Sequence, residues 1–359
     1  MVILHVAWLD GDKCAGVGAA VPQHVIAQQK REKTALLNLC DLQIDGVDHC
    51  FSYCSSLKIQ TLPDPFDAPD LIVFHEIYRP QFLSISQQAK RSGIPYIIVP
   101  HGGLSAEAQK KKQFKKTLAN QLLFNRFFDG AAVLHCLSKR EKETLRVPRP
   151  SFICPNGVSL PKRKKEFSVG ETLRLVYIGR LEIKIKGLDL LLQAVSENAA
   201  FLRGHQVVLD IYGPDSPKDR AFLTDRIARS ELADIIHLHG PVFDGEKEMA
   251  LLDADCFIQT SRSEGMPMGL MEALSYGLPV IVTEGTGVAA DVERFDMGFH
   301  CKTSAEGIGA ALCQAVEARE QLEEKGRHAR TYIENALSWE MVSQVEISEY
   351  EKILKKQSG

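Results

Sequence analysis

The stretch from Ser261 to Val282, SRSEGMPMGLMEALSYGLPVIV, constrains the fold of this 359-residue chain more than any other segment. Its first half is rich in turn-forming residues, and Gly265 lets the backbone approach a ligand closely. The pattern predicts a helix from near Met268 that ends at Gly277 and Pro279, followed by a short buried strand. Because the apolar run CFIQT comes just before, the segment is typical of a parallel sheet, with free amide groups and the positive helix end at the carboxyl edge. We expect an anion to bind there.

Two carboxylates frame this expected anion site. Glu264 lies in the loop and Glu272 lies on the second turn of the predicted helix. A carboxylate accepts paired hydrogen bonds from neighbouring hydroxyls, so both suit the hydroxyl-rich groups attached to a diphosphate. The alternative is structural: Glu264 caps the helix, and Glu272 belongs to a solvated helix face.

A second candidate site lies in the segment GRLEIKIKGLDLLLQAV. Arg180 ends a predicted strand, and Lys186 lies at the entrance of the next helix. A cation there opposes the positive helix end at a cost of roughly 0.3–1 kcal/mol, which a bound anion would reverse. The pair is therefore interpreted as a diphosphate clamp. Two solvated charges are the alternative, and Lys184 is a rival for the role of Lys186.

The length suits two domains, and both halves alternate apolar strands with helical stretches. Apolar strands in such an order predict parallel sheets covered on both faces. The charged, turn-rich segment from Leu160 to Thr172 is the predicted linker. The predicted domains are residues 1–162 and 171–335, and residues 336–359 form a last helix.

Composition and charge indicate a globular chain with two different halves. No run of 18 apolar residues occurs, and the start lacks the features of a signal peptide, so we expect a cytoplasmic protein. Residues 1–165 carry 23 Lys and Arg against 14 Asp and Glu, a net +9, whereas residues 166–359 carry 20 against 32, a net −12. The first half is therefore expected to face something anionic, either nucleic acid or a membrane surface.

The cysteines are predicted to be reduced thiols of the core. Their number, nine, is odd, and several lie within apolar, strand-like runs: Cys40, Cys136, Cys154 and Cys256. Cys50 and Cys54 lack the spacing of a zinc knuckle.

Two candidate ligand-facing positions stand out in the first half. Gly16 begins a Gly-Val-Gly loop, and a helix is predicted after it from about Ala19 to Arg31. The loop either faces a ligand or is a plain turn. His101 follows the strand PYIIVP and precedes two glycines, so it lies at the edge where parallel sheets bind ligands, unless it is a core residue. Three other histidines, within apolar strands, are interpreted as core residues: His5, His75 and His135.

A basic, amphipathic stretch runs from Ser105 to Phe128. One interpretation is docking on an anionic membrane surface, and the other is an ordinary helix with a solvated lysine face. Its lysines are Lys110, Lys111, Lys112, Lys115 and Lys116.

The combination of motifs resembles a known family. A Gly-Arg-Leu followed by Lys-Gly, and about eighty residues later a Ser-x-x-Glu-Gly whose Glu precedes a second Glu by eight positions, resembles the retaining glycosyltransferases of family 4. The resemblance implies an α/β chain with two Rossmann-like domains facing across a cleft, the GT-B architecture. The C-terminal domain would hold a nucleotide-sugar, the N-terminal domain the acceptor, and the last helix would cross back to the N-terminal domain.

The resemblance also implies a role for each matching residue. Arg180 and Lys186 would neutralise the diphosphate, and Glu272 would hold the ribose. Glu264 would hold the donor sugar together with the backbone of Gly265, Met266, Pro267 and Met268. His101 would meet that sugar from the opposite wall, and the base would lie by the loops that contain Gly213 and Val242.

The expected function is sugar transfer from a nucleotide-sugar to a lipid-linked or polysaccharide acceptor, with retention and without a metal or another cofactor. No DxD-type metal motif stands at a strand end, because Asp253 to Asp255 is interpreted as a helix end. If the lysine-rich stretch docks on lipid, the enzyme is peripheral on the inner face of the plasma membrane. A nucleotide-sugar epimerase and a non-catalytic nucleotide-sugar-binding protein are the alternatives. A nucleic-acid partner is not expected, because no reader motif occurs.

Overall fold

The chain folds into two units. The structure, a computed structural model, describes residues 1–11, 16–54, 57–101, 103, 124–145, 149–167, 170–214 and 216–357. Residues 1–157 and 337–359 form the first unit, and residues 158–336 form the second. The division thus follows Gly157, and the charged segment 160–172 is part of the second unit.

The first unit is built on a seven-stranded parallel sheet with the order β3-β2-β1-β4-β5-β6-β7. Apolar side chains fill both of its faces, as expected for strands with helices on either side. Each strand except β3 corresponds to an apolar run in the sequence. The strands are Val2–Ala7 (β1), Lys33–Asn38 (β2), Cys50–Ser52 (β3), Leu71–His75 (β4), Tyr96–Val99 (β5), Val133–Cys136 (β6) and Ser151–Ile153 (β7).

Helices of the first unit pack on both faces of this sheet, and two of them, Gly16–Gln28 and Trp339–Gln357, pack on each other. The predicted loop at Gly16 is wrong, because this residue begins the first helix, and no described atom would lie within 4 Å of a side chain there. The other described helices are Pro80–Arg91, Asn125–Gly130 and Lys139–Glu143, with a short 3-10 turn at Ile59–Thr61.

The second unit has a six-stranded parallel sheet with the order β10-β9-β8-β11-β12-β13. Its strands are Leu173–Ile178 (β8), Val207–Tyr212 (β9), Ile236–Leu238 (β10), Cys256–Gln259 (β11), Val280–Thr283 (β12) and Gly298–Cys301 (β13). Its helices are Ile183–Lys186, Leu188–Glu197, Ala199–Gly204, Pro217–Arg229, Asp244–Asp253, Met268–Tyr276, Ala289–Arg294, Ala305–Glu317 and Leu322–Tyr332.

Local sequence signals account for several helix ends in this unit. Ser216 caps the helix Pro217–Arg229 by accepting from the amide of Asp219, and Pro217 supplies a fitting first residue. Gly277, at φ 80°, ends the helix Met268–Tyr276 in the left-handed conformation that glycine adopts without strain. The helical segment after Lys186 is divided at Asn198 into two helices, and a separate short helix, Ile183–Lys186, precedes them.

Two further expectations concern the whole chain. No helix among the described residues is long and apolar enough to cross a membrane. The lysine-rich segment that suggested membrane docking, Lys110 to Lys116, lies outside the described residues. The eight described cysteines are free thiols. The prediction that they are core residues is wrong for Cys54, which is exposed, and for three that are half-buried: Cys40, Cys50 and Cys313.

Candidate functional site

The carboxyl edge of the second sheet brings three strand ends close together. The chain leaves β8 towards β9 on one side and returns to β11 on the other, so the strand order reverses at β8. Open α/β sheets bind ligands at such a switch point. Gly213, at φ 156°, follows β9, and a side chain on it would come within 1.8 Å of the carbonyl oxygen of Gly179, which follows β8. Only glycine permits this close approach of the two loops.

The loop after β8 is fastened to the loop after β11. The hydroxyl of Thr260 donates to the carbonyl of Lys186 over 2.9 Å, and the amide of Arg262 donates to the carbonyl of Ile185 over 2.9 Å. Gly187, at φ 68°, has the carbonyl oxygen of Thr260 only 2.0 Å from where a side chain would begin. These contacts hold Lys186 beside the loop that contains Glu264.

Lys186, which is buried, and Glu264, which is half-buried, form an ion pair. Lys186 is only 8% exposed, so its ammonium group requires a charged partner in place of water. The other oxygen of the Glu264 carboxylate accepts hydrogen bonds from the Ser261 hydroxyl at 2.8 Å and the Gln259 amide at 3.2 Å. The Glu264 carboxylate thus holds the Lys186 ammonium group in place at the carboxyl edge.

The loop that contains Glu264 leads directly into the helix Met268–Tyr276. Glu264 does not cap this helix: the N-cap residue is Pro267, and no described side chain caps the helix. Gly269 lets the helix begin over the end of β8, because a side chain on it would lie 2.4 Å from the carbonyl oxygen of Ile178. Gly265 and Met268 are exposed, so this uncapped helix end can accept an anion.

The remaining residues predicted for this site have other partners. Arg180 is 71% exposed at its side chain and pairs with Glu182 at 3.4 Å. Lys184 is 83% exposed and pairs with Asp189 at 2.9 Å, so the buried Lys186 is the better candidate. Glu272 is paired with Lys247. The other predicted positions at this edge are half-buried (Met266, Val242) or buried (Pro267, Gly213).

His101 lies in the first unit, at the carboxyl edge of its sheet. Its Nε2 lies 3.0 Å from Nδ1 of His75, and Nε2 of His75 lies 2.8 Å from Nδ1 of His5. Nε2 of His5 lies 3.0 Å from the amide oxygen of Gln28, whose amide nitrogen donates to the carboxylate of Glu346 over 2.7 Å. We call these five residues the histidine chain. The prediction that His5, His75 and His135 are core residues is confirmed, since each is at most 1% exposed.

One buried charge pair lies at the inner end of the histidine chain. Burial raises the pKa of Glu346, but the charge of His24, whose Nδ1 is 2.7 Å away, outweighs it and brings the pKa down to about 2. Burial lowers the pKa of His24, and the Glu346 carboxylate reverses this and leaves it raised. Burial is the main cause that lowers the pKa of His5 and His135 to about 4, so these rings are neutral.

Three residues of this arrangement were not predicted from the sequence: Glu346, Gln28 and His24. The signal for Glu346 was a lone carboxylate between Val342 and Tyr350, at helical spacing on a face that is otherwise buried. An acidic residue on such a stripe needs a buried cationic partner, which the strand and helix histidines could supply.

Two groups of described side chains have the geometry of metal ligands. His135, Cys154 and Glu346 bring one ligand atom each within 4.8 Å of one another, but burial raises the pKa of the Cys154 thiol and His24 already pairs with Glu346, so this group does not suit a cation. The other group is half-exposed and consists of Asp210, His237 and His239. In that group His239 Nε2 lies 2.7 Å from Oδ1 of Asp210, so this carboxylate oxygen already has a hydrogen-bond partner.

Two Rossmann-like parallel sheets with this edge site define the class of protein. The structure of Anabaena Alr3699/HepE in complex with UDP matches 98% of this chain and 100% of that chain with a TM-score of 0.71 at 16% sequence identity. HepE has also been solved with UDP-glucose. The fold is therefore GT-B-like, as predicted. Residues 159–332, nearly all of the second unit, match the family model of glycosyl transferases group 1.

Curated relatives share part of the chain. The teichuronic acid biosynthesis glycosyltransferase TuaC of Bacillus subtilis is 28% identical over 250 residues, which are 66% of this chain and 58% of that protein. The colanic acid biosynthesis glycosyltransferase WcaL of Salmonella typhimurium is 30% identical over 152 residues, or 40% of this chain and 36% of that protein. The chain thus spans about half the length of the curated relatives it matches.

Proposed function

We propose that the protein is a retaining glycosyltransferase that moves a sugar from a nucleoside-diphosphate sugar to a lipid-linked or polysaccharide acceptor. The observation that carries the proposal is the partly buried ion pair of Lys186 and Glu264 at the switch point of the second sheet, where the loop with Glu264 leads to an uncapped helix. The family match covers this unit. The name of TuaC, from teichuronic acid biosynthesis, supports a cell-surface polysaccharide as the acceptor.

The reaction needs a good leaving group. The bond between the anomeric carbon and the diphosphate oxygen breaks, and negative charge grows on the diphosphate. Lys186, Arg180 and the amides at the start of the helix Met268–Tyr276 offer fixed positive charge for it. A metal is not required for this stabilisation.

Retention follows if the acceptor attacks on the face from which the diphosphate leaves. The acceptor oxygen forms the new bond to the anomeric carbon, and its proton goes to an oxygen of the departing diphosphate. In this scheme Glu264 positions the sugar, Glu272 holds the ribose, and His101 contacts the sugar.

Donor binding is tested first. Thermal unfolding with UDP, GDP, ADP and dTDP sugars identifies the base, because a ligand at 100 times its Kd stabilises the folded protein by about 2.7 kcal/mol. Nucleotide release on adding acceptor then separates transfer from binding alone. An epimerase would convert the donor sugar without releasing nucleotide.

The role of Lys186 gives the sharper test. Lys186→Ala should lower turnover on the order of a hundredfold, as does the loss of one preorganised charge stabiliser. Lys184→Ala is the matched control, since this exposed lysine lies two residues away and pairs with Asp189. Turnover of Lys186→Ala within about threefold of wild type, in a protein that still binds the donor, would refute the assignment.

A further inference from the structure

The histidine chain has a direction. A carboxylate only accepts hydrogen bonds, so Gln28 turns its NH₂ group to Glu346 and its carbonyl oxygen to His5. His5 must then donate through Nε2. A neutral imidazole has one N–H, so His5 accepts at Nδ1, and the same step repeats at His75. His101 therefore donates through Nε2 and keeps the lone pair on Nδ1.

The opposite direction has an electrostatic cost. If His101 carried its proton on Nδ1, each hydrogen bond along the chain would have to reverse, and the carbonyl oxygen of Gln28 would face the carboxylate of Glu346. Both groups are fully buried, so water cannot relieve that repulsion. Glu346 thus selects one of the two tautomers of His101, which lies at the other end of the histidine chain.

The three imidazole rings of the histidine chain are neutral. Burial lowers the pKa of His101 to about 3 and that of His5 to about 4, and it holds the pKa of His75 well below its ordinary value. Other polar groups close to the inner end are His135, the Tyr350 phenol and the cationic His24, which neutralises Glu346.

The backbone at His101 also indicates a position held for a purpose. Its φ is 48°, in the left-handed region that residues with a side chain seldom occupy. A hydrogen bond of 2.9 Å from the amide of Gly103 to the carbonyl of Pro100 closes the turn, and the bond to His75 fixes the ring. Such strain persists where the surroundings hold it in place, and it is frequent at binding sites.

We propose that Glu346 and Gln28 are positioning residues that set the tautomer of His101, so that His101 offers Nδ1 as a hydrogen-bond acceptor to a hydroxyl of its ligand. This inference rests on the proposed function, in which that ligand is the donor sugar. Sugar hydroxyls donate well to a neutral imidazole nitrogen, whereas an N–H at this place would suit a carbonyl or a phosphate.

The tautomer can be observed directly in the full-length protein. Histidine labelled with ¹⁵N distinguishes protonated from unprotonated ring nitrogens by NMR, and His101→Gln identifies the signals of His101. In the wild type at pH 7 we expect His5, His75 and His101 to carry one proton each, on Nε2, and His24 to carry two.

Two variants test the dependence on the chain. In Glu346→Gln, the new amide can face Gln28 with either end, so the Nε2–H form of His101 should fall from nearly all to about half. Gln28→Leu interrupts the chain and should also release the tautomer. Gln29→Leu is the matched control, because its neighbouring amide donates outward to the carbonyl of Gly46, and it should leave His101 unchanged.

Activity provides a second measurement. If only the Nε2–H tautomer is competent, turnover of Glu346→Gln should fall about twofold, in proportion to the remaining Nε2–H fraction. A purely structural role of Glu346 would lower stability without changing the tautomer.

The outcomes are distinct. A proton on Nδ1 of His101 in the wild type, or an unchanged His101 tautomer in Glu346→Gln, would overturn the inference. The measurement on Glu346→Gln is sufficient by itself if Gln28→Leu does not fold. The tautomer is read without any sugar donor, so a failure to find glycosyl transfer would refute the proposed function and leave the tautomer result in place. Transfer activity with an insensitive tautomer would refute only the positioning role.

Discussion

Acidification from pH 7 to pH 5 should destabilise the first unit strongly, because three of its histidines are buried as neutral rings. Burial lowers the pKa of His5 and His135 to about 4 and holds that of His75 well below the ordinary value of about 6.5. In the unfolded chain the same rings take up protons below about pH 6.5. The unfolded state therefore binds more protons than the folded state, and stability is lost as the pH falls from 6.5 towards 4.

The magnitude follows from the number of rings. Each neutral histidine costs about 1.4 kcal/mol for every pH unit below 6.5, or about 2 kcal/mol by pH 5. The three fully buried rings together cost about 6 kcal/mol, and His101, whose pKa burial lowers to about 3, adds about 2 kcal/mol. The total is a large part of the 5–15 kcal/mol that is typical of a folded domain. The pair of His24 and Glu346 does not offset this loss: Glu346, with a pKa of about 2, begins to lose stabilisation only below about pH 4.5, and the raised pKa of His24 changes stability only above about pH 6.5.

Tryptophan fluorescence provides the assay, because both tryptophans of the chain, Trp8 and Trp339, belong to the first unit. Urea unfolding should be followed at several values between pH 7 and pH 5. His135→Gln, which keeps a donor for the carbonyl of Cys154, should reduce the slope by about 1.4 kcal/mol per pH unit. His49→Gln, an exposed histidine of the same unit, is the control. A free energy of unfolding that stays constant over this range would show that the rings are protonated in the folded state.

Three further outcomes are expected. Glu272→Ala should weaken binding of the free nucleotide and of the nucleotide-sugar equally, because both carry the ribose, whereas Glu264→Ala should mainly weaken binding of the nucleotide-sugar. Isothermal titration with each ligand measures this, and identical nucleotide binding by the wild type and Glu272→Ala would exclude the ribose role. Gly187→Ala should cost about 2 kcal/mol or more in thermal unfolding, because the new side chain meets the carbonyl of Thr260 at a left-handed φ, and little change would mean that the loop can shift. Binding of the protein to anionic vesicles should weaken steeply as salt rises, and no binding by the wild type at low salt would mean that the lysine-rich segment is a solvated face. Replacement of four lysines by glutamine should abolish vesicle binding and leave transfer to a water-soluble acceptor unchanged: Lys111, Lys112, Lys115 and Lys116.

The general architecture could be predicted from local sequence. Apolar runs such as VILHVA and CFIQT are short, lie between helical stretches and have no polar alternation, so they predicted buried parallel strands. The ends of these strands marked where loops with Arg180, Lys186 and Glu264 would meet. Strand β3 was missed because its three residues, CFS, are too short to show a pattern.

The ion-pair partners of the charged residues could not be predicted from the sequence. Arg180 and Lys186 looked equivalent in the segment that contains them, yet one is exposed beside Glu182 and the other is buried with Glu264, 78 residues away. The burial of these two side chains depends on how one loop packs against another, and hydrophobic periodicity in the sequence does not predict that packing.

The sequence by itself determined that the strand histidines would be buried, because each lies in an apolar run. Tertiary structure decided that His5 and His75, which are 70 positions apart, would share a hydrogen bond, and that Gln28 would meet Glu346 from 318 positions away. Side-chain alternation in strands and helical spacing in the last helix can place each residue on a face. Only the packing of two helices on that face brings the polar atoms within 3 Å of each other, and a hydrogen bond, unlike hydrophobic burial, depends on that distance and direction.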